Sequence, residues 1–255
     1  MSEKIKEELE NTEAKEIVED PPVQDHLEPN PGKNLVIETS TGKYERHPVR
    51  TKVVMSGDDL VAVLNKYAGP FLKDGDMIFM SEKIVAISQG RAFPIDEIKP
   101  SKLANFLVKF VYKSPYGIGL GSPWTMELAI RAVGKFKIIC CAIIAGIAKI
   151  FGKRGVFYNM LGEQVRAIDG PCDYTLPPYN HYAKMAPDKP NEVAKELTAK
   201  LGHKIFVVDA NDIGVNILGK PDDSFTDEQL AEIFGDNPLG QASQQTPVAI
   251  IRKVD

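Results

Sequence analysis

Ile205-Phe206-Val207-Val208-Asp209-Ala210-Asn211-Asp212-Ile213-Gly214-Val215-Asn216-Ile217-Leu218-Gly219 is the stretch on which the reading of this chain turns. An unbroken apolar run, 205–208, feeds directly into acids and carboxamides. A run of four such residues, rich in Val and Ile, reads as a strand buried on both faces, and its end delivers Asp209 and Asp212 to one place. Carboxylates grouped in this way suit a hard cation such as Mg²⁺ or Mn²⁺, and a hard cation commonly accompanies phosphate chemistry. The same residues also suit a turn whose side chains cap backbone amides. Spacing alone leaves both readings open.

Outward from this strand, apolar runs and turn residues alternate. Strands are expected at 35–38, 49–54, 77–80, 84–87 and 248–252, with a turn at 40–43. Ser56 is placed to cap a helix running through Tyr67. Leu103, Phe106, Leu107, Phe110 and Val111 follow helical spacing after Ser101. Ser122-Pro123 opens another helix that stops at Gly134. Pro190 opens a third, closed by Gly202, and Thr226 with Gln229 forms a capping box for a fourth. Strands and helices mix without strict alternation and no repeat is evident, which makes the chain an α+β protein with mixed sheets and packed helices.

The 255 residues include 43% hydrophobic and 26% charged side chains, ordinary for a globular protein. The net charge of −4 gives no general reason to expect nucleic acid or a membrane as partner. Ten acids against three lysines in residues 1–30 make the N-terminus strongly acidic and leave the remainder slightly basic, which suits an anionic small ligand. Residues 1–31 read as a disordered acidic tail, broken by Pro21-Pro22 and Pro29-Asn30-Pro31, and 32–255 as the folded α+β domain, with room for two subdomains. The acidic start does not resemble a signal peptide. The free-standing Cys140, Cys141 and Cys172 form no disulfide framework and point to the cytoplasm. Residues 138–150 are almost wholly apolar but too few to span a bilayer, and are expected as a buried strand and helix. Gly146-Ile147-Ala148-Lys149-Ile150-Phe151-Gly152-Lys153-Arg154 misses the phosphate-loop pattern by one residue and lacks its hydroxyl; it reads as a core helix with a basic exit.

Further candidates lie elsewhere. Asp173, in Asp169-Gly170-Pro171-Cys172-Asp173-Tyr174, offers a second loop-borne acid that can share an ion with Asp209. Ser81-Glu82-Lys83-Ile84-Val85-Ala86-Ile87-Ser88-Gln89-Gly90-Arg91 offers Lys83 and Arg91 for phosphate or carboxylate groups, or else a solvated hairpin. Gly117-Ile118-Gly119-Leu120-Gly121 before a helix is a weak anion-cradle signal. No zinc-type His or Cys spacing and no Gly-x-Ser-x-Gly elbow is present.

Taken in order, these segments resemble the coenzyme F-420 γ-glutamyl ligase family over about residues 45–252. Lys83-Ile84-Val85 with Gly90-Arg91 resembles its Lys-Ile-Val…Glu-Gly-Arg segment. Gly57-Asp58-Asp59-Leu60 and Asp74-Gly75-Asp76 resemble its helix start and its turn. Asp173 and Asp209 fall at its two acidic positions. The resemblance implies an intertwined homodimer of α+β fold. It implies GTP (or ATP) as co-substrate with divalent Mg²⁺ or Mn²⁺, and an amide formed between L-glutamate and an anionic carboxylate acceptor. It further implies Asp173 and Asp209 as metal ligands, with Ser81 and Lys83 at the nucleotide. The chain departs from the family where Pro48-Val49-Arg50-Thr51-Lys52 replaces a Pro-Gly-Leu-Pro stretch, where Ile87 replaces a lysine, and where Asn211-Asp212-Ile213-Gly214 replaces a Gly-Arg-Pro-x-Arg stretch. Arg50 and Lys52 are candidates for the missing positive charge. A nucleotide- and metal-binding protein without ligase activity, or a ligase for a folate-like acceptor, are the alternatives.

Overall fold

The apolar runs at 77–80, 205–208 and 248–252 meet as neighbours in the middle of one sheet. In the computed structural model, residues 20–111, 119–153, 155–172, 175–211, 214–240 and 244–254 are described. Among them, eight strands form a six-stranded and a two-stranded sheet. The larger has the order β1-β2-β8-β3-β6-β7, with β1 Val36–Thr39, β2 Gly42–Val49, β3 Met77–Ser81, β6 Lys204–Asn211, β7 Gly214–Gly219 and β8 Val248–Val254. Only β3 and β6 are parallel, in the register Ser81 opposite Val208; the other pairs are antiparallel.

Both faces of the central strands are covered, which is why their sequences are unbroken apolar runs rather than alternating ones. Ile78, Met80, Ile205, Val207, Val248 and Ile250 point into one core, shared with helices α1 Leu60–Tyr67, α2 Glu82–Ser88 and α8 Pro190–Leu201. Phe79, Phe206, Val208, Ala249 and Ile251 point the other way, against Leu230, Ile233 and Phe234 of helix α9 Asp227–Ile233 and the turn after it. Phe79 stacks on Phe234 with ring centroids 4.9 Å apart. A third core fills a helical lobe built from α3 Lys102–Leu107, α4 Pro123–Val133, α5 Lys135–Ile150, α6 Val156–Leu161 and α7 Glu163–Arg166, on the two-stranded sheet of β4 Ala92–Pro94 and β5 Tyr182–Lys184. The architecture is α+β, with a mixed sheet and packed helices, as the sequence pattern implies.

Helix ends follow their caps where a side chain supplies one. Ser122 and Thr125 complete a capping box at α4, Thr226 and Gln229 another at α9, and Gly202 closes α8 at φ 76°. Other expectations are corrected. Helix α1 is capped by Asp59, which accepts from the Val61 N–H at 2.9 Å, not by Ser56, which lies three residues too early in a turn closed by Asp58. Residues 84–87 are helical, within α2, because the Ser81 hydroxyl accepts from the Lys83 N–H and starts a helix whose Ile84, Val85, Ala86 and Ile87 are all buried. An element surrounded by core shows no period, so its β-branched run reads as a strand. No strand spans 49–54: β2 covers Gly42–Val49, and of the expected stretch only Val49 belongs to it. Helix α3 is shorter than its apolar spacing suggests: Ala104 and Leu107 are buried, while Phe106 and Phe110 stay exposed and pack edge to face. Residues 138–150 are helical, as expected in part, but form no strand and are mostly exposed. They belong to α5, which buries only Ile138 and Cys141 fully.

The described part of the expected tail, residues 20–31, lies along the body. Val23 and Leu27 pack on the first core, Gln24 accepts from the Arg50 N–H at 2.6 Å, and Asn30 donates to the Pro238 carbonyl at 2.8 Å. Residues 1–19 lie outside the described residues.

Candidate active site

The parallel pairing of β3 with β6 brings two chain segments to the same sheet end. With Ser81 level with Val208, the next residues along, Glu82 and Asp209, emerge side by side. From the helical lobe, the strand β5 supplies Lys184, and a bridge from Asp169 to Lys184 supplies Asp169. These groups converge. The Lys184 Nζ forms an ion pair with Glu82, lies 3.5 Å from Asp169 Oδ2, and donates to the Ala167 carbonyl at 3.2 Å.

The electrostatics of the cluster are those of crowded acids. Burial, together with the charges of Asp169 and Asp209, pushes the Glu82 carboxyl up to about 7 although Lys184 pulls the other way. Its Oε2 is buried and, among the described residues, accepts no hydrogen bond. Asp209 is raised above its usual value by burial and by Asp169, against the pull of Lys184 and Lys83. Burial by itself would lower Lys184, but Glu82, Asp169 and Asp209 raise it, so the ammonium stays charged. An orphaned carboxylate oxygen and raised acids mean that negative charge exceeds its local compensation. Such a donor set fits a hard divalent cation. Among the described residues, however, no group of three or more His, Cys, Asp or Glu is already arranged to hold a metal ion.

Beside the cluster lies a shallow, solvent-open depression lined by Lys83, Asp169, Thr175, Tyr179, Tyr182 and Lys184, among others. Tyr179 and Tyr182 meet edge to face at 5.0 Å. The Tyr179 phenol is pushed up to about 12 by burial and by the neighbouring Tyr182 and Asp58, so it remains a neutral hydroxyl at all ordinary pH values. The depression thus offers cationic ammonium groups, an aromatic wall and carboxylates. That combination sets positive charge and aromatic faces side by side at a solvent-open surface.

The structure sorts the residues singled out from sequence. Asp209 and Lys83 stand at the cluster and its adjoining depression. The Ser81 hydroxyl is engaged as the α2 cap. Arg91 does not line the depression: its Nε donates to the Ala186 carbonyl at 2.5 Å, tying α2 to the chain beyond β5. Lys52 pairs with Asp58 at 3.0 Å, next to the Tyr179 rim, and Arg50 is exposed on the residue bonded to Gln24. Asp173 and Asp212 lie outside the described residues. In the glycine loop, Gly117 and Ile118 do too, and the Ser122 and Thr125 that follow are buried and bonded to each other. Sequence reasoning missed Glu82, Asp169 and Lys184 as site residues. Glu82 and Lys184 carried a signal: a charge set beside or within an apolar run, Ser81-Glu82 after β3 and Lys184 between Ala183 and Met185, which is tolerated only if the charge meets a partner.

The sequence pattern of the family described as F420-0:gamma-glutamyl ligase matches residues 48–229, well over half of the chain. The chain belongs to this family. Membership makes it a protein of a ligase family with small-molecule substrates. All the clustered residues, Glu82, Asp169, Lys184 and Asp209, fall inside the matched region, whereas β1 and the central strand β8 lie outside it. No curated protein matches the chain. No described helix is long and apolar enough to cross a membrane.

Proposed function

We propose that this protein is a nucleotide- and divalent-cation-dependent γ-glutamyl ligase, joining the amine of L-glutamate to a carboxylate acceptor through an acyl phosphate. The observation that carries this reading is the excess of buried carboxylate at the end of the β3–β6 pair, with Glu82 Oε2 unpartnered among the described residues, beside a depression that also presents Lys83. A bound Mg²⁺ or Mn²⁺ would neutralise nucleotide phosphate and polarise the phosphoryl group under transfer. Asp209, with Asp169 and the free oxygen of Glu82, are the described groups suited to hold it; Asp173 and Asp212 complete the set in this proposal. Lys83 binds phosphate oxygens of GTP or ATP and stabilises the charge that develops on them. The acceptor carboxylate attacks the terminal phosphorus and the nucleoside diphosphate departs. The glutamate amine then attacks the acyl carbon, and inorganic phosphate leaves. The amine's proton leaves with the departing phosphate, and Asp209 stays with the cation in this reading. The tyrosine wall of Tyr179 and Tyr182 suits a flat acceptor such as a deazaflavin or a folate-like compound. The working unit in this reading is a cytoplasmic homodimer, and a single 28.1 kDa species in sedimentation would remove that part of it.

A second reading keeps binding without turnover. The departures from the family favour it: Ile87 stands where the family has a lysine and Asn211-Asp212-Ile213-Gly214 where it has Gly-Arg-Pro-x-Arg, so these positions bring no positive charge to a transferring phosphoryl group. Calorimetry with Mn²⁺ and GTP separates the outcomes. Both readings expect cation-dependent nucleotide binding, weakened at least about tenfold in Asp209→Asn. Glutamate-dependent phosphate release with a panel of acceptors then supports the ligase; binding without release supports the second reading. Absence of binding removes both.

A further inference from the structure

Helix α5 carries an apolar face that the fold leaves bare. Over residues 135–150 the positions facing the body are Ile138 and Cys141, with Ala142, Ala145 and Ala148 half-buried. At 100° per residue the opposite face is formed by Phe136, Ile143, Ile147 and Ile150, continued by Phe151, with exposures of 84%, 59%, 52%, 82% and 77%. Ile139 and Ile144, at 40% and 45%, form its shoulders. No polar side chain other than the Cys140 thiol interrupts it.

The charges around this ridge are of one sign. Lys135 and Lys137 stand at its start, Lys149 and Lys153 at its end, all exposed, and none pairs with a described acid. Residues 135–154 contain no Asp or Glu at all. Lys135 and Lys137 fall on the flanks between the bare face and the body, while Lys149, in the last turn, is on the body's side of the helix and Lys153 lies beyond its end; long, exposed stems let their ammonium groups reach outward beside the apolar ridge. The chain's net charge of −4 conceals this patch, because acids concentrate in the N-terminal thirty residues.

Two occupants can cover such a face, and the charge pattern chooses between them. A second copy docked through α5 in antiparallel fashion sets Lys135 and Lys137 against Lys149 and Lys153. A parallel arrangement sets each lysine against itself. Either way, like charges meet with no acid on the face to relieve them. An anionic lipid surface has the opposite property: it takes isoleucine and phenylalanine into the acyl boundary while its headgroups receive the lysines. We propose that α5 is an interfacial membrane anchor, lying flat on an anionic bilayer surface. With 16 residues, it lies on the membrane and does not span it. No α5 residue lines the candidate site, so this anchoring is argued independently of the proposed chemistry.

Vesicle flotation of the full chain tests this. With vesicles of phosphatidylcholine containing phosphatidylserine, the protein floats, and binding falls steeply with salt and with removal of the anionic lipid. Ile143→Asn with Ile147→Asn, both exposed and therefore neutral to folding by circular dichroism, reduces the bound fraction about tenfold or more. Lys137→Glu with Lys149→Glu does the same on anionic vesicles only. The proposal is overturned if the wild-type chain stays with the soluble fraction on anionic vesicles, or if both double variants float as well as wild type. It is equally overturned if sedimentation shows a dimer that the isoleucine variants dissociate, since a second copy would then be the occupant. None of these outcomes bears on nucleotide binding.

Discussion

Replacing Glu82 by glutamine tests the electrostatic account of the site. In the fold the Glu82 carboxyl holds its proton up to about pH 7, against 4.5 for the free side chain. Between those values the native state binds more protons than the unfolded chain, so stability is greatest below the unfolded value and declines as pH rises through about 7. At ~1.4 kcal/mol per unit, the span from 4.5 to about 7 corresponds to a loss of about 3 kcal/mol. Glutamine keeps the shape and the neutral hydrogen-bonding capacity but cannot ionise. The Glu82→Gln variant should therefore gain about 3 kcal/mol relative to wild type between pH 4.5 and 7.5. Asp209, raised in the same direction, is present in both proteins, so the difference reports on Glu82. Urea unfolding followed by circular dichroism at half-unit pH steps, in chelator, gives the two curves. A flat difference, or one that favours wild type as pH rises, refutes the view that burial and neighbouring acids outweigh Lys184. Repeating the series in Mn²⁺ should restore wild-type stability above pH 7 and leave the variant with a smaller gain, since a cation held by the folded cluster favours ionised Glu82.

Two further outcomes follow from packing. A Cβ at Gly219 would stand 2.4 Å from the Pro190 carbonyl oxygen, where β7 meets the first turn of α8; Gly219→Ala should cost about 1–3 kcal/mol in urea titration, because backbone rather than a flexible side chain must move. Arg46 is fully buried and ion-paired with Asp236, and donates to the Asn34 carbonyl at 2.6 Å; Asp236→Asn should destabilise by about 3 kcal/mol at pH 7. Burial would raise Asp236, but Arg46 and the Asn34 N–H hold it below its usual 3.8, so this contribution is present above that value and vanishes as pH falls through the native one, where the two proteins should converge.

The sequence by itself determined the elements whose signals are local. The cap at Ser122, the capping box at Thr226, Pro190 and Gly202 bounding α8, and the apolar runs of β3, β6 and β8 all depend on a few adjacent residues, and all stand where their pattern put them. The ordered family-like segments, from Gly57-Asp58-Asp59-Leu60 to the β6 acid, pointed to the family whose pattern spans 48–229. Tertiary structure decided what no local pattern encodes. Residues 84–87 became a buried helix because core surrounds them on every side, which erases the period that distinguishes helix from strand. Residues 135–150, as apolar as any core segment, turned one face outward because the helical lobe has room to bury only one side of α5. The site itself is a product of topology. Asp209 was legible as an acid at a strand end, but Glu82 and Lys184 are 102 positions apart in the chain. They acquire meaning only when the parallel β3–β6 pairing and strand β5 bring them into one desolvated place, where burial, aided by the neighbouring acids and opposed by Lys184, moves a carboxyl group's titration up to about 7.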